Sequence, residues 1–400
     1  MTRAGPLAAP DFRRFFFARA ISFLGDNFTI VALAFAVLDL TGSTRDLGWV
    51  LTAYWLPFAL LTLAGGVWAD RLPRHLVMVG TNSFSAAVQA TTAALLLSGS
   101  ARLWLLLVLQ ALAGTARAFF SPAARGLLQQ TVEVESLQQA NALVRVALRL
   151  AQIGGAAIGG LVVGAFGPGW GLAVDASTFA AAAAALVGMH VPRVEQLRRR
   201  GFGLDLAEGW YEFRAREWLW VVVAAFTFIN FAAGAWTVLG PPTAKTHYGG
   251  ASTWGAILAA NGAGLFLGGA LALRLPLPRR PLLSGQIACV VFALPLALLA
   301  PPLDAVLVGA GAFVAGVAIE LFEVWWETTM QRRVPPSIFG RLAAWDTVGS
   351  FAAQPLGIAI AAPVAAAIGR GETLYGAAAV MIVASLAALL SRDVRTLAAA

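Results

Sequence analysis

The sequence predicts an all-α membrane protein with twelve transmembrane helices in two pseudo-symmetric six-helix bundles. Of its 400 residues, 59% are hydrophobic and only 12% are charged, whereas about 25% of a soluble domain is charged. A spanning helix needs about 20 mostly apolar residues, and the apolar runs supply twelve such stretches. We expect helices near 15–40, 47–69, 76–98, 103–122, 137–164, 170–190, 217–239, 253–273, 282–300, 303–329, 340–366 and 372–391.

The longest polar stretch, residues 191–216, lies midway along the chain with six predicted helices on either side. It predicts an N-terminal bundle over 1–190, a cytoplasmic linker over 191–216 and a C-terminal bundle over 217–400. Within the linker, the segment from Leu204 to Phe213 has apolar residues between acidic ones. This pattern favours an amphipathic helix that lies along the membrane surface.

Positive charge sets the predicted orientation. With the amino terminus inside, 21 of the 28 Lys and Arg residues fall in cytoplasmic segments and four in external loops. This asymmetry predicts a multi-pass protein of the inner or plasma membrane with both termini in the cytoplasm. The net charge of +8 does not indicate a nucleic-acid partner, because the basic residues form short groups between apolar runs.

The composition also limits the chemistry that the chain can perform. A single cysteine, Cys289, and three scattered histidines exclude a disulfide framework and give no metal-site pattern. The chain has no G-x-x-x-x-G-K-[ST] sequence, and its one lysine, Lys245, lies in a predicted external loop, which excludes ATP hydrolysis. We therefore expect no cofactor and no enzyme. The alternative of another class is a polytopic membrane transferase, which would need paired aspartates or a His/Asp group at the membrane face.

An internal repeat links the two halves. Two pairs of segments match: Gly65–Pro73 with Gly268–Pro276 at an offset of 203, and Leu128–Val132 with Met330–Val334 at an offset of 202. Two independent matches at nearly one offset indicate two six-helix halves in parallel repeat, with a pathway between them.

The loop after the second predicted helix, residues 66–75, reads G-V-W-A-D-R-L-P-R-H. It resembles the loop motif G-x-x-x-D-R-x-G-R-R/K of the major facilitator superfamily, with departures at Pro73 and His75. The resemblance extends over nearly the whole chain. Further segments resemble the branch that holds enterobactin-exporter-like and macrolide-efflux-like proteins: Phe12–Arg14, Ser22–Asp26, Ala140–Leu143, Gly340–Leu342 and Pro355–Gly357.

This resemblance implies a secondary exporter that works by alternating access, often with proton coupling, and we expect proton antiport. The expected partners are a hydrophobic or amphipathic small molecule, such as a drug or a siderophore-like compound, together with protons and the lipid bilayer. We expect a monomer. Uptake or lipid translocation on the same fold is the alternative.

The loop motif itself, Gly66, Asp70, Arg71 and Arg74, is the candidate cytoplasmic gate. Asp70 can accept hydrogen bonds from the amino terminus of a neighbouring helix, where the helix dipole favours negative charge. Arg71 and Arg74 can bridge to carboxylates. The alternative is that these charges only set the topology of the chain.

The fifth predicted helix carries Gly155, Gly159 and Gly160. Small residues at this spacing form a groove in which another helix can approach closely, so helix packing is the simplest interpretation. The segment also resembles the superfamily's antiporter motif G-P-x-x-G-G, with Ala156 in place of the proline.

Charges inside helices give the sharper functional signal, because an ionisable residue near the bilayer centre costs at least about 2.5–3.5 kcal/mol. Asp26 should lie ~16 Å into the first helix, and it is the one carboxylate of the first half that we expect at mid-membrane. In the superfamily helices 1 and 4 line the cavity, which makes Asp26 and Arg117 candidates to face each other. A structural hydrogen bond near Gly25 is the alternative to proton carriage by Asp26.

The tenth predicted helix supplies the second choice for proton coupling. Glu320 and Glu323 are three residues apart and share one helix face. Arg145 and Arg149 in the fifth helix reach a similar depth, so a cross-domain ion pair is geometrically reasonable. Its alternative is a static brace.

Three uncharged side chains are candidates for the substrate cavity: Asn230, Trp236 and Asn261. Most polar residues in membrane bundles make helix–helix contacts, so we expect one or two of these at most to contact substrate.

Overall fold

The computed structural model describes residues 6–133, 136–189, 202–301 and 303–398, and most of these residues are helical. Six helices precede the linker, and each has 20 to 32 residues, enough to cross the ~30 Å hydrocarbon core at 1.5 Å per residue. They are α1 (Pro10–Thr41), α2 (Thr44–Arg71), α3 (Arg74–Leu97), α4 (Leu103–Thr131), α5 (Leu137–Phe166) and α6 (Pro168–Val187).

The helices that follow are less regular. They are α7 (Phe202–Arg214), α8 (Glu217–His247), α9 (Ala251–Ala272), α10 (Pro281–Cys289), α11 (Leu294–Leu299), α12 (Ala305–Arg333), α13 (Pro336–Phe351), α14 (Gln354–Ile368), α15 (Arg370–Ala388) and the short α16 (Arg392–Thr396). A 3₁₀ turn at Val290–Ala293 joins α10 to α11.

Two of the predicted helices are interrupted, and prolines explain both breaks. The predicted helix near 282–300 divides into α10 and α11, and the one near 340–366 divides into α13 and α14. Pro295 and Pro355 each lie at the start of the second piece. Proline has no N–H and its ring clashes with the carbonyl four residues earlier, so each helix is interrupted in the preceding turn.

Ten helical segments of the described residues are long and apolar enough to cross a membrane. Helices α2 and α3 lie outside this set, but their 28 and 24 residues meet the length requirement. These twelve segments correspond to the twelve predicted spans.

The chain divides into two compact units. The first lies within Met1–Val194 and Pro241–Ala259, and the second within Glu195–Gly240 and Ala260–Ala400. The end of α8 and the start of α9 therefore belong to the first unit. The predicted boundaries of the linker stay a prediction, since residues 190–201 lie outside the described residues.

The first unit has a buried apolar core at the start of α1. Phe12 and Phe15 of α1 contact Met78 of α3, Leu127 of α4 and Leu186 of α6 in one cluster, and each of these five is at most 1% exposed. This core fixes the cytoplasmic-side ends of four helices, as the predicted orientation has them.

The segment 241–259 is bound to α1 within the first unit by an ion pair. The Nζ of Lys245 lies 2.5 Å from Oδ1 of Asp39, and it also donates to the backbone carbonyl of Leu38 at 3.2 Å. Both charged side chains are largely exposed, so the pair contributes at most about 1 kcal/mol.

The amphipathic segment that the sequence predicts forms α7, and it packs on α13 within the second unit. The rings of Trp210 and Trp345 are 4.8 Å apart, and Arg341 donates to Glu208 at 3.1 Å. Apolar residues of α7 thus face protein on one side, while Tyr211 is 74% exposed on another.

Candidate functional site

The site begins on one face of α1. Arg19, Phe23, Asp26 and Thr29 follow one another at spacings of four, three and three residues, which places them along one face of the helix. Asp26 lies near the midpoint of α1, and its Oδ2 accepts a hydrogen bond from Nη1 of Arg117 on α4 at 2.6 Å. A charge-assisted bond of this length is among the stronger contacts available to either side chain.

The ion pair is only partly covered. The side chain of Asp26 is 22% exposed and that of Arg117 is 26% exposed. Charges that face lipid are costly, and intramembrane charges almost always face protein or a water-filled cavity. The uncovered part of this pair is therefore best suited to an aqueous space.

Arg19 extends the charged site toward the start of α1, and the sequence analysis missed it. Because α1 begins at Pro10 and not near residue 15, Arg19 lies ~14 Å along the helix and not about one turn from its start. The guanidinium carbons of Arg19 and Arg117 lie 5.1 and 5.8 Å from the centroid of the Phe120 ring. The separation of Arg19 from Asp26 by seven residues, two helical turns, is the signal that could have found it.

A second carboxylate lies inside the first unit, which corrects the expectation that Asp26 stands alone there. Asp175 of α6 is completely buried. Its Oδ2 accepts hydrogen bonds from Oγ1 of Thr29 at 2.5 Å and from Nε2 of Gln89 at 2.9 Å. The position of Asp175 in the middle of an apolar run of 20 residues is the signal that was available in the sequence.

Close contact between α1 and α6 depends on Gly25. A Cβ atom at Gly25 would lie 2.4 Å from Oδ1 of Asp175 and 2.0 Å from Oγ1 of Thr178, distances that no real Cβ adopts. The glycine beside Asp26 thus serves helix packing and lets Asp175 reach the face of α1.

The glycines of α5 contact two different helices. A Cβ atom at Gly155 would lie 2.5 Å from the carbonyl oxygen of Leu24, and one at Gly159 would lie 3.0 Å from Cα of Phe28. Leu24 and Phe28 are both on α1. At Gly160 the nearest atoms belong to α9, including Cα of Gly255 at 2.9 Å. One stripe of small residues therefore holds α5 against α1 and against the part of α9 that belongs to the first unit.

Only one residue of the predicted gate motif has a described side chain. Gly66, Asp70 and Arg71 lie at the end of α2, and the side chains of residues 63–71 are outside the described part of the chain. Arg74, at the start of α3, donates from Nη1 to the carbonyl oxygen of Gly126 on α4 at 2.9 Å. The role of the motif as a gate stays a prediction.

In the second unit Glu320 lies near the middle of α12 and is 6% exposed. Its side chain packs over two glycines of α9: a Cβ at Gly268 would lie 2.9 Å from Cβ of Glu320, and one at Gly269 would lie 3.6 Å from its Oε1. Glu323, one turn further on, is exposed.

The predicted charge partners of these glutamates lie on α5. Arg145 is exposed, and Arg149 donates to Oε1 of Gln152 at 3.3 Å. Pairing between α5 and Glu320 would join different units and stays a prediction.

The two predicted cavity asparagines bind backbone. Nδ2 of Asn230 donates to the carbonyl of Ser350 at 3.0 Å, and Nδ2 of Asn261 donates to that of Ala312 at 2.9 Å. Ser350 lies in the last turn of α13, where carbonyls lack intrahelical partners, so Asn230 supplies a missing donor. Trp236 on α8 is half-buried.

A carboxylate of the second unit was also missed. Asp346 of α13 accepts a hydrogen bond from Nε1 of Trp326 at 3.3 Å and lies 3.4 Å from Oγ of Ser350. Among the described residues no group of three or more His, Cys, Asp or Glu could hold a metal ion.

Long apolar helices that enclose charged, partly accessible side chains define a multi-pass membrane protein with polar groups in its interior. The sequence model of the Major Facilitator Superfamily matches residues 15–358. The chain belongs to this superfamily, and it is a membrane transporter.

Relatives of the chain span nearly its whole length. The multidrug efflux pump Tap of Mycobacterium tuberculosis (strain ATCC 25618 / H37Rv) is 28% identical over 390 residues, which cover 93% of this chain and 91% of the pump. The multidrug efflux pump Tap of Mycolicibacterium fortuitum is 27% identical, with 99% and 98% covered. The crystal structure of the nucleoside transporter NupG superposes with a TM-score of 0.74 at 13% identity, covering 95% of this chain and 98% of that one, which shows a shared fold.

Proposed function

We propose that the protein is a secondary active exporter of the inner membrane that moves a hydrophobic or amphipathic small molecule by alternating access, in exchange for protons. The ion pair between Asp26 and Arg117 is the observation that carries this proposal. It places a protonatable group and its counter-charge at the middle of two spanning helices, 2.6 Å apart.

The pair can exist in two states that differ in charge distribution. In one state Arg117 donates to Asp26, and the guanidinium balances the charge of the carboxylate. When a helix movement or a ligand separates the two, Asp26 takes up a proton. Antiport follows if the substrate and the proton compete for this site.

The relatives support the direction of transport. Both Tap proteins carry the name of multidrug efflux pumps, and the matches cover 93% and 99% of the chain. We carry this property over as part of the proposal. Glu320 and Glu323 are the second choice for proton coupling, and Gly66, Asp70, Arg71 and Arg74 are the proposed cytoplasmic gate.

The proposal is tested by transport in proteoliposomes with an imposed pH gradient. We expect an acidic lumen to drive accumulation of an amphipathic dye such as tetramethylrhodamine ethyl ester, and we expect nigericin, which dissipates the pH gradient, to abolish it. Protein-free liposomes are the control. Accumulation that nigericin leaves unchanged would exclude proton antiport, and no accumulation of any dye in a broad panel would argue against export.

The topology predicts which residues react from each side of the membrane. Cysteines introduced at Ala215, after α7, and at Thr246, near the end of α8, should react with an impermeant thiol reagent from opposite sides in intact cells and inverted vesicles. Both positions are exposed, and the native Cys289 is fully buried, so the background is low. Labelling of both from the same side would contradict the assignment of α8 as a membrane span, and labelling of Ala215 from outside the cell would contradict cytoplasmic termini.

A further inference from the structure

Arg19 is a cation inside the membrane-spanning part of α1, and its side chain makes no hydrogen bond or ion pair to an acceptor in the described part of the chain. A guanidinium group offers five N–H donors. Among the described residues, the contacts of this group are the face of Phe120 at 5.1 Å and electrostatic interactions with Arg117 and Asp26. Its neighbour Arg117, in contrast, has a carboxylate partner at 2.6 Å.

The charges around Arg19 do not balance locally. Asp26 lies two helical turns from Arg19 on α1, but its carboxylate is the direct partner of Arg117. The other carboxylate nearby, Asp175, is bound by the uncharged donors Thr29 and Gln89 on the side of α6. The facing sides of α1 and α4 therefore carry two cations, Arg19 and Arg117, near one ring and one direct carboxylate partner, which belongs to Arg117.

This face is also accessible. Arg19, Phe23 and Asp26 are each half-buried and none is fully covered. An arginine without an anion is costly in a medium of low dielectric constant. A ligand with a negative group can supply both the missing charge and the missing hydrogen-bond acceptors, and a planar guanidinium binds a carboxylate or sulfonate with two parallel hydrogen bonds.

We propose that Arg19, together with Arg117, binds an anionic group of a transported molecule, so that the substrates include apolar or aromatic compounds that carry a carboxylate or sulfonate. The statement that the bound molecule is transported rests on the proposed function, but the binding of an anion at Arg19 does not depend on export. The two are therefore tested separately.

The anion site is tested with charged thiol reagents on the purified protein. Phe23, one turn from Arg19 on the same face, is changed to cysteine in a Cys289→Ala background, and the protein is placed in phosphatidylcholine nanodiscs, which contain no anionic lipid. We expect the anionic sulfonatoethyl methanethiosulfonate to react faster than the cationic trimethylammonioethyl reagent, relative to their rates with a free thiol. Arg19→Gln should lower this ratio by about tenfold, the effect of removing one nearby charge.

Matched variants separate the charge from the fold. Arg19→Lys keeps the charge and should keep the preference, while Arg13→Gln, which removes an exposed arginine from the same helix, should leave it unchanged. If Phe23→Cys does not fold, Tyr54→Cys on α2 is the second reporter variant, because Tyr54 lies close enough to Arg117 and Asp26 to interact with both charges. Equal rates for the two reagents, or a preference that Arg19→Gln does not reduce, would overturn the proposal.

The substrate class is tested with two dyes that share a xanthene ring and differ in charge. In proteoliposomes of phosphatidylcholine, Arg19→Gln should lower the transport of carboxyfluorescein at least tenfold and leave that of cationic tetramethylrhodamine ethyl ester unchanged. An equal loss for both dyes would contradict anion recognition by Arg19. Reagent preference without transport of either dye would support the anion site and count against export.

Discussion

We expect the Asp26→Asn variant to bind substrate but to lose transport against a gradient. Asparagine keeps the size of the side chain and removes the proton-binding carboxylate, so the ion pair with Arg117 at 2.6 Å becomes a weaker neutral contact. Concentrative transport should fall at least about tenfold, as for loss of a group that acts in the turnover step. The residual flux should no longer depend on pH, which is measured in proteoliposomes over a range of equal internal and external pH values.

Asp11→Asn is the matched control, because Asp11 lies on the same helix in its first turn, near Arg14, and far from Arg117. This variant should keep the wild-type pH profile. If Asp26→Asn still concentrates substrate with that profile, Asp26 has a structural role. The coupling role then passes to Glu320 or Glu323.

The second large effect concerns the crossing of α2 and α4. A Cβ at Gly114 would lie 2.0 Å from the carbonyl oxygen of Tyr54, whereas ordinary contacts begin near 3.4 Å. Backbone cannot yield as a flexible side chain does, so Gly114→Ala should separate the two helices. We expect a cost at or above the roughly 1–3 kcal/mol of overpacking, measured as a lower melting temperature and less monodisperse protein in detergent.

Gly80→Ala provides the comparison. Gly80 lies inside α3 with open space around its Cα, so a methyl group there meets no atom, and alanine is favoured over glycine in a helix by about 1 kcal/mol. Its melting temperature should equal or exceed that of the wild type. Equal stability of the Gly114 and Gly80 variants would show that α2 and α4 are less closely packed than described.

The second half repeats this crossing. Gly316 on α12 lies 202 positions after Gly114, and its Cβ would approach the carbonyl oxygen of Asn261 on α9 at 2.3 Å. Nearly the same offset relates the matching segments of the two halves in the sequence. The internal repeat therefore includes a close contact between two helix backbones as well as similar residues in the sequence.

Much of the fold could be predicted because a bilayer admits few solutions. Apolar length determines where helices cross, and the contact between Asp26 and Arg117 could be anticipated from the depth of each charge in its helix. The breaks at Pro295 and Pro355 were missed because hydropathy does not register a lost N–H. Arg19 was missed for a related reason: with the helix start placed five residues too late, it lies only four residues from the predicted start and looks like one of the charges at the helix end.

Other features depend on tertiary contacts that no local pattern contains. Asp175 could be seen in its apolar run, but its bonds to Thr29 and Gln89 join three helices. Asn230 and Asn261 were candidates for the cavity because they are polar residues in apolar helices, yet each donates to a carbonyl of a neighbouring helix. Whether an amide serves packing or a ligand depends on which carbonyl lies opposite, and sequence spacing does not report this.

The helix interruptions make the two halves mechanically unequal. All six helices of the first half run without a break, even though Pro57 and Pro122 lie inside α2 and α4. In the second half, the turn at Val290–Ala293 and the junction between α13 and α14 each replace part of the helical hydrogen-bond ladder. A helix bends at low cost where those hydrogen bonds are already missing. During a conformational change we therefore expect the interrupted helices of the second half to bend, while the unbroken helices of the first half keep their shape.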